Sequence, residues 1–174
     1  VLGVLTCSLP IPSPPPGIQA SPVRPRVFNN AEELLAAQGQ VLGTGAWLTV
    51  NQAMVDQFAA ATGDDQWIHV DPVRAAAGPF GGTVAHGYLT LSLIPVLAQQ
   101  VWVVEGASMA VNAGTNKVRF TSPVPVGARI RLTSTVVSVR RMGTSVHLVL
   151  KEQIHLDGRD RPVCTAETVT VVTF

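Results

Sequence analysis

Asp64 and His69 stand five residues apart in the run Phe58-Ala-Ala-Ala-Thr-Gly-Asp-Asp-Gln-Trp-Ile-His69. A carboxylate can orient a water and an imidazole can take its proton, so the two residue types suit acid–base work. On a continuous helix this spacing sets them about 140° apart, and on a strand it puts them on opposite faces. They meet only where the chain turns between them. Gly63 predicts such a turn, as the C-terminal cap of a preceding helix. On spacing alone, an Asp64 that caps a turn and a His69 that packs in a loop is the commoner arrangement.

A second piece is His86-Gly87, seventeen residues beyond His69, at the head of a long apolar run. First-turn amides of a helix lack intrahelical partners and sit at the positive end of the dipole. A glycine there lets a ligand come close to the N–H, as an oxyanion hole requires. Close packing of the helix on a neighbour would also call for glycine.

These residues must be positioned by elements that the patterning predicts. Thr49-Val50-Asn51-Gln52 fits a capping box opening a helix, with Val50, Met54 and Phe58 recurring at four-residue spacing until Gly63. Asp71-Pro72 opens a short helix ending near Gly78. From Ala75 to Val104 there is no Asp, Glu, Lys or Arg. Pro95 and the pair Gln99 and Gln100 interrupt residues 88–104, and no basic cluster flanks them. The stretch therefore reads as a buried helix kinked at Pro95, not a membrane span. After Gly106 the period falls to two. Val118 and Phe120, then Ile130 to Val136, then Val146 to Leu150, then Val163 to Phe174 read as four strands of an antiparallel meander, with an earlier strand over Val41 to Leu48.

Composition bounds what these elements can do. The chain has 174 residues, 47% hydrophobic and 13% charged, with a formal net charge of +1. That suits one domain with a sizeable core. It excludes general disorder and a phosphate-neutralising nucleic-acid binder. Cys7 and Cys164 form neither a disulfide framework nor a zinc site, which reads as a reducing, cytoplasmic compartment. Residues 1–23 carry no charge, and seven of thirteen prolines fall between Pro10 and Pro25. Residues 1–26 are therefore expected to be a flexible extension, with the domain, residues 27–174, beginning near Val27.

GDDQWIH (63–69), followed by DPVRAAAGPFGGTVAHG (71–87), resembles the signature of the MaoC-like (R)-specific enoyl-CoA hydratases and dehydratases, which reads G-D-x-N-P-x-H with a helix-initiating His-Gly downstream. NAGTNKVRF (112–120) and PVPVGARIR (123–131) resemble the strand and turn that follow in that family. The resemblance covers roughly Val27 to Phe174. It implies an α+β hot-dog fold, a curved antiparallel sheet wrapped around a long central helix, usually dimerising by joining sheets.

The resemblance also implies Asp64 and His69 as the catalytic pair and the Gly87 amide as the donor to the thioester carbonyl. A buried Asp64 coupled to His69 would titrate with it as one unit. Gln66 and Trp67 depart from the family's Asn and Pro. Gln66 offers the same amide groups on a longer arm, while Trp67 adds bulk that bears on pocket shape and acyl length. His86 and Tyr88 join Gly87 and Gln66 as substrate-binding candidates, with Tyr88 and Ser92 candidates for the acyl channel. The implied reaction adds water to a trans-2-enoyl-CoA, giving the (3R)-hydroxyacyl product, with dehydration in reverse. It needs no redox cofactor or metal, coenzyme A being part of the substrate. The partners are then an acyl-CoA or acyl-carrier-protein thioester and a second copy of the chain, with no nucleic acid and no membrane insertion. Competing readings are a dehydratase on acyl-carrier protein, a hot-dog thioesterase and a non-catalytic thioester-binding subunit. Arg140, Arg141, Lys117 and Arg119 are candidates to meet carrier phosphates, or are solvated charges. His147 and His155 read as surface residues, and Trp47 and Trp102 as core or interface packing.

Overall fold

Alternating apolar residues in the second half of the chain build the sheet on which the site rests. The computed structural model describes residues 24–174. Strands β1 (Arg26–Phe28), β2 (Val41–Thr44), β3 (Leu48–Thr49), β4 (Trp102–Val104), β5 (Met109–Phe120), β6 (Arg129–Met142), β7 (Ser145–Leu156) and β8 (Cys164–Thr173) are joined by six helices. These are α1 (Ala31–Leu35), α2 (Gln52–Thr62), α3 (Trp67–Val70), α4 (Pro72–Ala76), α5 (Gly87–Ser92) and α6 (Ile94–Ala98). The expected extension falls almost wholly on residues 1–23, outside the described residues.

The main sheet runs β2-β6-β7-β8-β5, with β3 also on β6. Strands β6, β7 and β8 form the expected meander. β5 does not join it in sequence order but crosses to the far edge and pairs with β8. Period-two patterning locates strands without saying which neighbour each takes. Its bulges at Asn112/Gly114 and Asn116/Arg119 also break the inward–outward alternation expected around Val118, and all of β5 except Val118 is exposed. At the other edge, the single strand expected over Val41 to Leu48 is two pieces, β2 and β3, both laid on β6. Gly43, at a left-handed φ of 143°, marks the shift in register.

The long buried helix is likewise two short ones. α5 and α6 meet at Leu93, and Pro95 falls in the first turn of α6, where its missing N–H costs no bond. The helical run stops at Ala98, and Trp102–Val104 forms a strand parallel to β1. Among the described residues, no helix is long and apolar enough to cross a membrane. The expected capping box also differs: the N-cap is Asn51, whose side chain accepts from the Met54 amide at 2.9 Å. Thr49 ends β3, and Val50 is wholly buried in the core.

Leu89, Leu93, Ile94 and Leu97 pack on Ile130, Leu132, Ile154 and Leu156 to form one apolar cluster. Phe28, Leu34 and Leu42 pack on Val136, Leu148 and Leu150 to form a second. Each such side chain, fully buried, contributes about 1.5–3 kcal/mol. His147 and His155 are half-buried rather than on an open surface, because their outward positions are shielded by neighbouring strands. Burial and the Arg131 guanidinium hold His155 below the usual histidine range. Trp102 packs against both clusters. Trp47 lies under Arg131, whose guanidinium carbon is 4.3 Å from the ring centroid. Burial pushes the Cys164 thiol up to about 11, which keeps it protonated and inert.

Between the rows of the two clusters sits Glu152, 1% exposed and paired across strands with Ser134, whose hydroxyl donates to its carboxylate at 2.6 Å. Burial pushes this carboxyl up to about 7 from 4.5, against the lowering effect of the Ser134 bond. The unfolded chain ionises Glu152 near pH 4.5 while the folded chain holds its proton to about pH 7. Folding stability should therefore decline by about 3 kcal/mol as pH rises through that window, and not recover above it. Glu152→Gln should remove this component of the slope. Urea unfolding of both proteins at pH 4.5, 6 and 8 measures it, and an unchanged slope in the variant would refute the assignment.

Candidate functional site

The chain reaches the site from α2, which ends at Gly63 with φ 78°, in the left-handed region that the expected cap requires. The Gly63 amide closes the helix on the Ala59 carbonyl at 2.8 Å. Three loop residues follow, and α3 then supplies a single turn that carries His69. Asp71 ends α3 and caps α4, accepting from the Arg74 amide at 3.0 Å. The turn that brings Asp64 and His69 together is thus fixed at both ends by capping.

His69 is buried and held from three sides. Its ring Nδ1–H donates to the Val84 carbonyl at 2.6 Å. Its own carbonyl accepts from Gln52 Nε2 at 2.7 Å, and its amide donates to the Gln66 carbonyl at 2.8 Å. Gln52 also accepts from Thr83 Oγ1 at 2.7 Å, so one amide ties α2, α3 and the strand-like segment before α5. With Nδ1 carrying the proton, the Nε2 of His69 presents a lone pair. Asp64 is exposed in this chain, not buried as expected, because the loop after Gly63 projects outward. A nitrogen of each of His69 and His86 and a carboxylate oxygen of Asp64 all lie within 4.8 Å of one another.

That trio has the donor types of a metal site. Its hydrogen bonds assign it otherwise: Nδ1 of His69 is committed to Val84, and Nε2–H of His86 donates to the Asp64 carbonyl at 2.8 Å. A metal would have to displace the second of these or use the buried Nδ1 of His86. The atoms left free, His69 Nε2 and the Asp64 carboxylate, suit a water between them.

Against the residues that flank and hold His69 opens a cavity of about 410 Å³, walled by Ile68, Phe80, Val84, Gly87, Thr90 and Phe120 among others, with neither Asp64 nor His69 in its wall. Ile68 precedes His69, and Val84 holds its ring. Gly87 is the first residue of α5 and faces the cavity. A Cβ there would stand 3.1 Å from the Phe120 ring, so close packing also accounts for the glycine. The structure separates the remaining candidates. Tyr88 is 69% exposed, stacked edge-on to Phe120 at 6.0 Å, and is not part of the cavity wall. Ser92 is not part of the wall either. Gln66 is exposed at the start of α3 and makes no side-chain cap. His86 is 2% exposed, with its ring turned onto His69 rather than into the cavity. Trp67 does not line the cavity. It packs on Gly78, under the Arg74 guanidinium at 4.5 Å.

Arg141 bonds Glu32 at 2.5 Å and Lys117 pairs with Glu167 at 2.8 Å, so neither is a free phosphate ligand. Arg119 donates to the Val118 carbonyl at 2.7 Å. Arg159, which sequence reading passed over, donates to the cavity-lining Ser122 hydroxyl at 3.0 Å. No local pattern marks it, since only folding brings the β7–β8 turn to the end of β5.

An antiparallel sheet packed on a central helical run, with an Asp/His pair and a glycine at the helix head, defines the hot-dog class of acyl-thioester proteins. The chain belongs to the family whose model is described as MaoC like domain, which matches residues 33–157. It is 48% identical over 145 residues to 3-hydroxyacyl-thioester dehydratase Z of Mycobacterium tuberculosis, covering 83% of this chain and 96% of that protein. It is 40% identical over 139 residues to nodulation protein N of Rhizobium leguminosarum, covering 78% and 86%. Among solved structures, the (R)-hydratase from A. caviae involved in PHA biosynthesis superposes with a TM-score of 0.62 at 27% identity, covering 76% of this chain and 94% of that one. The family is one of hydratases and dehydratases of acyl thioesters.

The packing of Trp67 carries its own test. A Cβ on Gly78 would stand 2.9 Å from the indole, closer than contact allows. Gly78→Ala should force the ring off its seat and cost about 1–3 kcal/mol of stability, read by urea denaturation. Denaturation at the parent midpoint would show that Trp67 is not wedged there.

Proposed function

We propose that this protein hydrates trans-2-enoyl thioesters to (3R)-hydroxyacyl thioesters and catalyses the reverse dehydration, with coenzyme A as the carrier. The observation that carries the reading is the fixed tautomer of His69. The Val84 carbonyl claims the proton on Nδ1, and Nε2 is left basic beside the Asp64 carboxylate. A water held between them loses a proton to His69 Nε2 as its oxygen bonds to C3 of the substrate. The C2=C3 pair shifts toward the thioester carbonyl. The Gly87 amide, without an intrahelical acceptor, stabilises the charge that gathers on that oxygen. The proton then passes from His69 to C2, so one water supplies both the hydroxyl and the hydrogen. Attack by the held water on one fixed face of C3 sets the single (3R) configuration.

The cavity supports an apolar acyl chain, since Ile68, Phe80, Val84 and Phe120 present hydrocarbon to it. Arg159 at the Ser122 end supports a phosphate-bearing carrier. The exposed edge of β5, with Met109, Val111 and Phe120 uncovered, supports pairing with a second copy.

Loss of enoyl-thioester ultraviolet absorbance on mixing with crotonyl-CoA and longer trans-2-enoyl-CoAs tests the reading. The parent should give the (3R) alcohol. Asp64→Asn and His69→Ala should each lower kcat by about 10²–10⁴-fold with folding unchanged. Full activity in either variant would remove the pair from the mechanism. Hydration of acyl-carrier-protein thioesters alone would transfer the activity to that carrier, and no hydration of either would leave a binding subunit.

A further inference from the structure

Behind the pair lies a second histidine that does not line the cavity described above. His86 stacks on His69 with ring centroids 3.8 Å apart and planes 28° from parallel. Its Nε2–H donates to the backbone carbonyl of Asp64 at 2.8 Å. One side chain therefore grips both members of the pair, Asp64 through its backbone and His69 through its ring face. Phe58 of α2 backs it, at 5.0 Å between centroids. Its remaining nitrogen, Nδ1, is buried with no hydrogen-bond partner among the described residues.

We infer that His86 is a positioning residue of the thioester reaction, its Nε2–H fixing the Asp64 loop and its ring face supporting the positive charge that His69 gains when it takes a proton. The inference rests on the hydration reading above and deepens it.

The hydrogen bonds decide which ring nitrogen can take a proton. The Asp64 carbonyl can only accept, so Nε2 of His86 bears its proton. A second proton on Nδ1 would bury an N–H with nothing to receive it. The lone pair open to a proton at the site is therefore Nε2 of His69, not Nδ1 of His86. A cation against the face of an aromatic ring is favourable, the more so away from water. The titratable groups that meet His86 are Asp64 and His69. α2 presents Phe58 to it, and Asp56, the one charged residue of α2, accepts from Gln52 at 2.8 Å.

Two substitutions separate the two grips. Phenylalanine keeps a ring face and loses the donor; glutamine keeps a donor near the Nε2 position and loses the face. His86→Gln should lower kcat by about tenfold and move the acidic limb of the pH–kcat profile to lower pH by up to about one unit, since protonated His69 loses its support. His86→Phe should leave that limb in place while lowering kcat, since the Asp64 loop is released. Neither should change KM for crotonyl-CoA by more than about twofold, because His86 binds no substrate. Folded variants with the parent kcat and the parent limb would overturn the inference.

A ¹⁵N NMR measurement on the parent needs neither variant nor substrate. It should show the proton of His86 on Nε2 and that of neutral His69 on Nδ1. A His86 proton on Nδ1 would overturn the inference even in an active enzyme. A parent that hydrates no thioester overturns the proposed function instead, and the two failures are read in separate experiments.

Discussion

Two residues of extended chain, Val84 and Ala85, hold the site to the rest of the molecule. The Val84 amide donates to Ile68 and its carbonyl receives the His69 ring, so α3 is clasped from both directions. The Ala85 amide donates to Val124, and Val84 bridges Pro125, so the same two residues are stitched to the loop between β5 and β6. The next two residues are His86 and Gly87. The α3 turn, the sheet and the central helix are thus referenced to one short segment whose two amides and Val84 carbonyl are all bonded. A single turn such as α3 has little stability of its own, because nucleating a helix costs more than one turn returns. What keeps His69 in place is this clasp, together with the Gln52 amide on its carbonyl.

How much of this was legible beforehand depends on the range of each interaction. Gly63 announced a left-handed cap and Asp71-Pro72 announced a helix start, because both act within a turn of chain. The hot-dog class and the meeting of Asp64 with His69 followed from the motif and its resemblance. The partner of β5 was not legible, since a half-polar strand carries no label for its neighbour. Nor was the break in the central helix. Pro95 marks a disturbance, but whether the chain kinks there or starts a new helical turn is decided by packing around Leu93. The capping box failed for a related reason. Thr49 was needed in β3, and core burial of Val50 moved the helix start to Asn51.

Glu152 shows the limit from the other side. Continuing the alternation Val146, Leu148, Leu150 places residue 152 on the inner face, where a carboxylate is unexpected. Pattern reading treats a charged residue as a reason to turn the strand outward, whereas the ladder with β6 and β8 fixes the register regardless of that one residue. The carboxyl is then accommodated by a pKa that burial raises and by the bond it accepts from Ser134. Trp67 illustrates the opposite case. Its bulk, placed where the family pattern has proline, suggested a reshaped pocket, yet the ring turns away to Gly78 and Arg74, and the cavity is bounded by other residues.

The order of strands has a consequence for how the molecule comes into being. Thr44 of β2 bonds Thr133 of β6, eighty-nine residues later, and Lys117 of β5 pairs with Glu167 of β8, fifty residues later. Contacts so distant along the chain form slowly, because a large loop must be closed before any of them is gained. A ribosome releases β2, the helices and β5 well before their partners in the sheet exist. Until β6 to β8 emerge, both outer strands and the apolar faces of α5 and α6 have no sheet to rest on. The nascent chain is thus most open to mispairing in that interval, and substitutions that hasten the β6–β7 hairpin would shorten it.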